Sequence, residues 1–147
     1  MKLIRGILYV LILSTLFLVP LNRVEIANLK PVQAVWMHLE NGNVVLLTDT
    51  EDMGAGASVK DALSNMKQKS NGIVYLDTAE YLFVASSAIE RILDVRPYMK
   101  PSVRLCVWDG EGEFKDAVQY VDSHKIGIKL NEWNGVGILP ELNEIKQ

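Results

Sequence analysis

The stretch that decides the fold is Ile73-Val-Tyr-Leu-Asp-Thr-Ala-Glu-Tyr-Leu-Phe-Val-Ala-Ser-Ser-Ala-Ile-Glu90. Ile73–Leu76 and Tyr81–Ala85 are short apolar runs rich in β-branched and aromatic residues, the length and type of buried strands. Ser87-Ala-Ile-Glu90 then reads as a capping box, in which Ser and Glu side chains each satisfy a free backbone N–H at a helix start. Ile89, Ile92 and Leu93 supply the apolar face of that helix, and Pro97, which has no N–H to donate, stops it. Strand followed by helix within so few residues is the pattern of an α/β layer.

Working outward, the same alternation recurs. Ser58-Val-Lys-Asp61 predicts a helix start, and Val59, Ala62, Leu63 and Met66 fall on one face of a helix running to about Lys69, ended by Asn71-Gly72. Residues 35–39 and 43–48 flank Asn41-Gly42, a dipeptide tolerant of positive φ, and form a predicted β-hairpin. Residues 48–57 between hairpin and helix read as an acidic, Gly-rich flexible loop. On the other side, Val103, Leu105 and Val107 alternate with Arg104, Cys106 and Trp108, as in a strand covered on one face. After a turn at Gly110 and Gly112, Phe114, Ala117, Val118 and Val121 recur at helical spacing. Ile126–Leu130 suits a last short strand, and Leu139-Pro140 a last helical turn. The expected fold is α/β, one mixed β-sheet with about three packed helices, preceded by an N-terminal membrane segment.

That segment is the run Gly6–Leu21, with Lys2 and Arg5 before it and Arg23 after it. It is slightly shorter than the roughly 20 residues that cross a bilayer core, but flanking arginines can snorkel. Small residues suited to cleavage are missing just after it, and the single cysteine, Cys106, lies far from the lipidation position. Residues 1–23 are therefore read as an uncleaved signal anchor, and residues 24–147 as one extracytoplasmic domain, the orientation that the positive-inside bias favours. A secreted protein is the alternative if the signal is cleaved.

Charge narrows the function. Of the chain's 15 Lys and Arg, three lie in residues 1–23, which hold no acid, so 12 bases face 18 acids in the rest, a net charge of −6. Such a body lacks the clustered cations that nucleic acid demands, and no nucleic-acid partner is expected.

Few residues carry candidate chemistry. Met53-Gly-Ala-Gly-Ala-Ser58 lacks the Lys of a P-loop and the spacing of a dinucleotide fingerprint. Asp109-Gly-Glu-Gly-Glu113 with Asp116 does not follow the EF-hand ligand series. His38 and His124 have no second ligand at i+3 or i+4, and Ser86 and Ser87 lie in no nucleophile elbow. Cys106, mid-strand, reads as a small hydrophobe. No catalytic, cofactor-binding or metal-binding residues are assigned, no cofactor is expected, and the chain is not read as an enzyme. Trp133, in a weakly patterned region, is the exposed aromatic chosen as an interaction residue. The alternative is a secreted or anchored ligand sensor or cell-wall hydrolase that uses the acidic loops 49–52 and 109–116.

Two stretches resemble the N-terminal domain of the spore germinant-receptor C-subunit family. Arg23-Val-Glu-Ile-Ala-Asn-Leu29 is similar to the Arg-Glu-Ile-Asn-Asp-Leu signature that follows that family's lipidated cysteine, with Ala27 and Asn28 at the middle positions. Ser58–Gly110 is similar in order: a helix with Asp61-Ala-Leu63, a strand ending in Tyr, Thr78–Ala85 followed by Ile89–Leu93, then Val103–Gly110. The chain would be a short single-domain relative without the lipidation cysteine, since Pro20-Leu-Asn22 stands at that boundary. The resemblance implies a non-enzymatic binding or scaffolding module of sporulation or spore germination, working with polytopic membrane or germination proteins. It adds Arg23 and Glu25 to the expected interaction residues.

Overall fold

The computed structural model describes residues 29–142. The predicted hairpin is the first large element: β2 (Ala34–Glu40) and β3 (Asn43–Thr48) pair antiparallel, with Val35 opposite Thr48 and Glu40 opposite Asn43. Asn41 and Gly42 take φ of 50° and 81°, the two left-handed residues that a tight turn matched to strand twist requires. A short strand, β1 (Leu29–Pro31), precedes the hairpin.

The stretch read as a flexible loop is instead an edge strand. β4 (Met53–Gly56) pairs antiparallel with β3. Its glycines serve close packing rather than flexibility: a Cβ on Gly54 would lie 2.1 Å from the Ala62 carbonyl oxygen, and one on Gly56 2.5 Å from the Asp61 Cβ. Helix α1 (Val59–Lys69) therefore rests directly on the β4 backbone. Ser58 caps it, its Oγ accepting the Asp61 N–H at 3.2 Å, and Val59, Ala62, Leu63 and Met66 are buried as their spacing predicts.

β5 (Ile73–Tyr75) forms, but not as a buried strand of the main sheet. It pairs parallel with β1 in a separate two-stranded ribbon, with only Val74 turned inward. After a 3₁₀ turn at Leu76–Thr78 comes β6 (Tyr81–Val84), in which all four residues are buried. β6 lies between β2 and β7 (Arg104–Val107), parallel to both, and a parallel strand covered on both faces is apolar without alternation.

The expected helix after β6 is broken into a 3₁₀ coil (Ser86–Arg91), a single turn α2 (Ile92–Val95) and another 3₁₀ turn (Arg96–Tyr98). The capping box does not form. Ala85 is the N-cap without a side-chain bond, and Asp109 takes the Ser86 N–H and hydroxyl at 2.6 and 2.7 Å, anchoring the coil to the next strand. Pro97 opens the last turn rather than stopping a helix, and Leu93 is exposed, while Ala88, Ile92 and Val95 face the core.

Helix α3 (Phe114–His124) matches its prediction and ends in Lys125 at φ 51°. β8 (Ile128–Lys129) pairs antiparallel with β7, completing a mixed six-stranded sheet of order β4-β3-β2-β6-β7-β8. No helical turn follows at Leu139-Pro140. The chain there is extended, Val107 N–H donating to the Pro140 carbonyl and Leu142 N–H to the Val107 carbonyl, both at 2.9 Å.

Two cores result. Val35, Met37, Leu82, Val84, Leu105 and Val107 point to the face covered by α1 and the 86–98 coil, and Tyr81, Phe83, Cys106 and Trp108 to the face covered by α3. The alternation in β7 thus separates two cores rather than core from solvent, and its strand is covered on both sides, not one. Trp133 belongs to the first core at 5% exposure, so it is not a surface interaction residue. Its carbonyl accepts from the Arg96 guanidinium, which also donates to the Leu130 carbonyl and ties the weakly patterned region to the sheet.

Candidate functional site

The two acidic loops meet. The end of β3 and its turn supply Leu47, Thr48, Asp49 and Glu51, the start of α3 supplies Glu113, Phe114 and Lys115, and together they line a recess of about 320 Å³. Beneath it runs an aromatic cluster. Trp36 stacks on His38 at 4.3 Å and lies 4.9 Å from Trp108, which stacks on Phe114 at 5.5 Å. The indole N–H of Trp36 donates to the Trp108 carbonyl and that of Trp108 to the Glu111 carbonyl, both at 3.2 Å, so the 109–113 turn is strapped to the sheet. Burial lowers the His38 pKa, opposed by the Glu40 carboxylate.

Three of the seven carboxylates in loops 49–52 and 109–116 are structural acceptors. Asp49 takes the Gln33 and Ala34 N–H groups at 3.0 and 3.1 Å, and Asp109 takes Ser86. Asp52 is buried, receives Lys30 at 3.1 Å and Thr50 at 2.9 Å, and has its N–H on the Thr48 hydroxyl. Burial alone would raise its pKa, but the nearby Ser70 hydroxyl and the bonds from Lys30 and Thr50 hold it below the ordinary carboxylate value. Glu51, Glu111 and Glu113 are exposed and extend from this fixed frame. The recess pairs apolar Leu47 and Phe114 with three carboxylates, Asp49, Glu51 and Glu113, and one cation, Lys115, an excess of acid able to hold a cationic group on an apolar body.

A second recess, of about 390 Å³, opens at the amino-terminal ends of β6 and β7 and is lined by Ala79, Glu80, Tyr81, Lys100, Ser102, Arg104 and Lys125. Arg104 donates to the Lys125 and Gly127 carbonyls at 3.2 and 3.3 Å, and a Cβ on Gly127 would lie 3.0 Å from the Arg104 Cβ. Lys125 and the Tyr81 hydroxyl both bind Asp122, at 2.9 and 2.8 Å, and burial, followed by Asp122, pushes the Tyr81 phenol up to about 12. No sequence signal marks this site, because its cations come from three separate elements.

The remaining residues take structural places. Cys106 is buried and free, and burial raises its thiol to about 12. His124 bonds the Tyr120 carbonyl within its own helix. Among the described residues no group of three or more His, Cys, Asp or Glu side chains is placed to hold a metal ion. Among them, too, no helix is long and apolar enough to cross a membrane. The Gly6–Leu21 run, Arg23 and Glu25 lie outside the described residues. Compared with protein-family models, with curated proteins and with solved structures, the chain matches none.

Proposed function

We propose that this chain is a membrane-tethered extracytoplasmic binding and scaffolding module, held by its N-terminal segment and acting in sporulation or spore germination by contact with membrane partners rather than by catalysis. The observation that carries the reading is that Ser58–Gly110, the longer of the two resembling stretches, runs in chain order through α1, β5, β6, the 86–98 coil and β7. Within it Ala62 and Leu63 are core residues of α1, and β5 closes at Tyr75. The commitment of Asp49, Asp52 and Asp109 to backbone and lysine partners also favours a structural use of the acidic loops.

The test is fractionation of a C-terminally tagged full-length chain through growth and sporulation, with protease added to intact protoplasts. The proposal expects a full-length tagged species in sporulation membranes that external protease removes. A shortened soluble species in the medium of vegetative cells overturns it. A second reading, a sensor of a cationic ligand, has one observation in its favour: Asp49, Glu51 and Glu113 line one recess. Glu51→Gln with Glu113→Gln tests that reading, since neither carboxylate holds the turn together.

A further inference from the structure

The parallel ribbon has an apolar outer face. Partners in a parallel pair project to the same side, so Leu29 and Pro31 of β1 share a face with Ile73 and Tyr75 of β5, while Lys30 and Val74 turn inward. Ile73 and Tyr75 are 47% and 41% exposed, and Pro31 is exposed beside them. A two-stranded ribbon gains little from its own hydrogen bonds, so an uncovered apolar face on it calls for a cover.

Chain connectivity names the cover. Leu29, the first described residue, lies on this face, and only Asn22–Asn28, seven residues, separate it from the apolar run that ends at Leu21. Seven residues reach at most about 25 Å when fully extended. With that run in the bilayer, the ribbon is the part of the domain chained nearest to the lipid. The ribbon strands lead into the amino-terminal ends of β2 and β6, and the Leu76–Thr78 turn joins the ribbon to the second recess at that end of β6 and β7. There Lys100, Arg104 and Lys125 outnumber Glu80 and Asp122, the latter bound to Lys125, in a body whose net charge is negative. Asp49, which accepts the Gln33 and Ala34 N–H groups, and Asp52, which pairs with Lys30 of β1, lie at this same end of the sheet, on its β3 side.

We infer that the Leu29–Pro31 and Ile73–Tyr75 ribbon lies on the bilayer surface, its apolar face at the headgroup boundary, with the Lys100–Arg104–Lys125 recess receiving anionic lipid headgroups. An exposed Tyr and Ile at this depth match the amphipathic residues that settle at membrane interfaces. The inference rests on the proposed N-terminal tether.

The test uses the full-length chain in vesicles of phosphatidylcholine and phosphatidylglycerol, carrying a fluorescent probe on Tyr75→Cys or, separately, on Ile138→Cys. Cys106 is buried and stays unlabelled, and Ile138, 95% exposed, precedes the segment that pairs at the carboxyl end of β7, opposite the ribbon. Circular dichroism and tryptophan fluorescence establish that each variant folds, and Ile73→Cys serves if Tyr75→Cys does not. The expected result is several-fold stronger quenching of the position-75 probe than of the position-138 probe by headgroup-level nitroxide lipid, with protection from aqueous iodide. Lys100→Gln should weaken that quenching in anionic vesicles. Equal quenching at both positions in a chain that resists alkaline extraction overturns the docking and leaves the tether standing. Protection from iodide without lipid quenching means a protein cover and also overturns it. A chain that alkali strips from the vesicles overturns the tether itself.

Discussion

Gly54→Ala probes the most consequential difference between the sequence pattern and the fold. The new Cβ would sit 2.1 Å from the Ala62 carbonyl oxygen, 2.6 Å from the Met66 nitrogen and 2.7 Å from the Met66 Cβ. Two of the three atoms are helix backbone, so no rotamer change relieves the overlap, and α1 must move by roughly 1 Å to restore ordinary contact. Overpacking of this kind costs typically 1–3 kcal/mol, and a backbone obstacle places Gly54→Ala near the top, at about 3 kcal/mol. That is a large share of the roughly 5–15 kcal/mol that holds a domain folded. Gly42→Ala is the control, because nothing lies within 4 Å of its Cβ and only its φ of 81° is strained, worth about 1–2 kcal/mol. Urea unfolding of the full-length chain in non-ionic detergent, followed by tryptophan fluorescence, measures both. A Gly54→Ala midpoint equal to wild type would refute the reasoning, since it would mean that β4 does not rest on α1 and that residues 53–57 are the flexible loop their composition suggests.

Trp133→Ala should cost about 3–5 kcal/mol in the same assay, the toll of emptying an aromatic site in a packed core, where an exposed tryptophan would cost almost nothing. Asp52 titrates below its ordinary 3.8 in the folded chain, so its ionised form stabilises the fold above that pH, and the contribution is lost as pH falls through the lowered value. Asp52→Asn should therefore be less stable than wild type at neutral pH and converge with it in acid; parallel pH profiles would contradict the assignment. Cys106, buried with its thiol raised to about 12, should resist iodoacetamide at pH 8 in the native chain and react in urea.

What was legible in the sequence is the set of elements whose signal is local. Asn41-Gly42 demands a tight turn, and Val59, Ala62, Leu63 and Met66, like Ala117, Val118 and Val121, state their helix face directly. What was not legible depends on partners far along the chain. Ser87 and Glu90 compose a correct capping box, yet a longer-range carboxylate, Asp109, seizes Ser86 and sets the coil. Met53–Gly56 looks like a hinge because a strand whose helix-facing positions are both glycine shows no apolar alternation; its reason is a helix pressing on its backbone. Trp133 lacks periodic neighbours because it is fixed by Arg96, 37 residues away. The ribbon and the basic recess share that character, their parts being joined by topology and not by spacing.

The proposed function is contact with membrane proteins. Its most direct measurement is in-cell photocrosslinking during sporulation, with the crosslinker at exposed positions of the tagged full-length chain, followed by identification of the adduct. The account predicts a discrete adduct with a polytopic membrane protein, absent in vegetative cells and unaffected by Glu51→Gln with Glu113→Gln. Absence of any adduct, in a chain that is full length and present in the sporulation membrane, would contradict it.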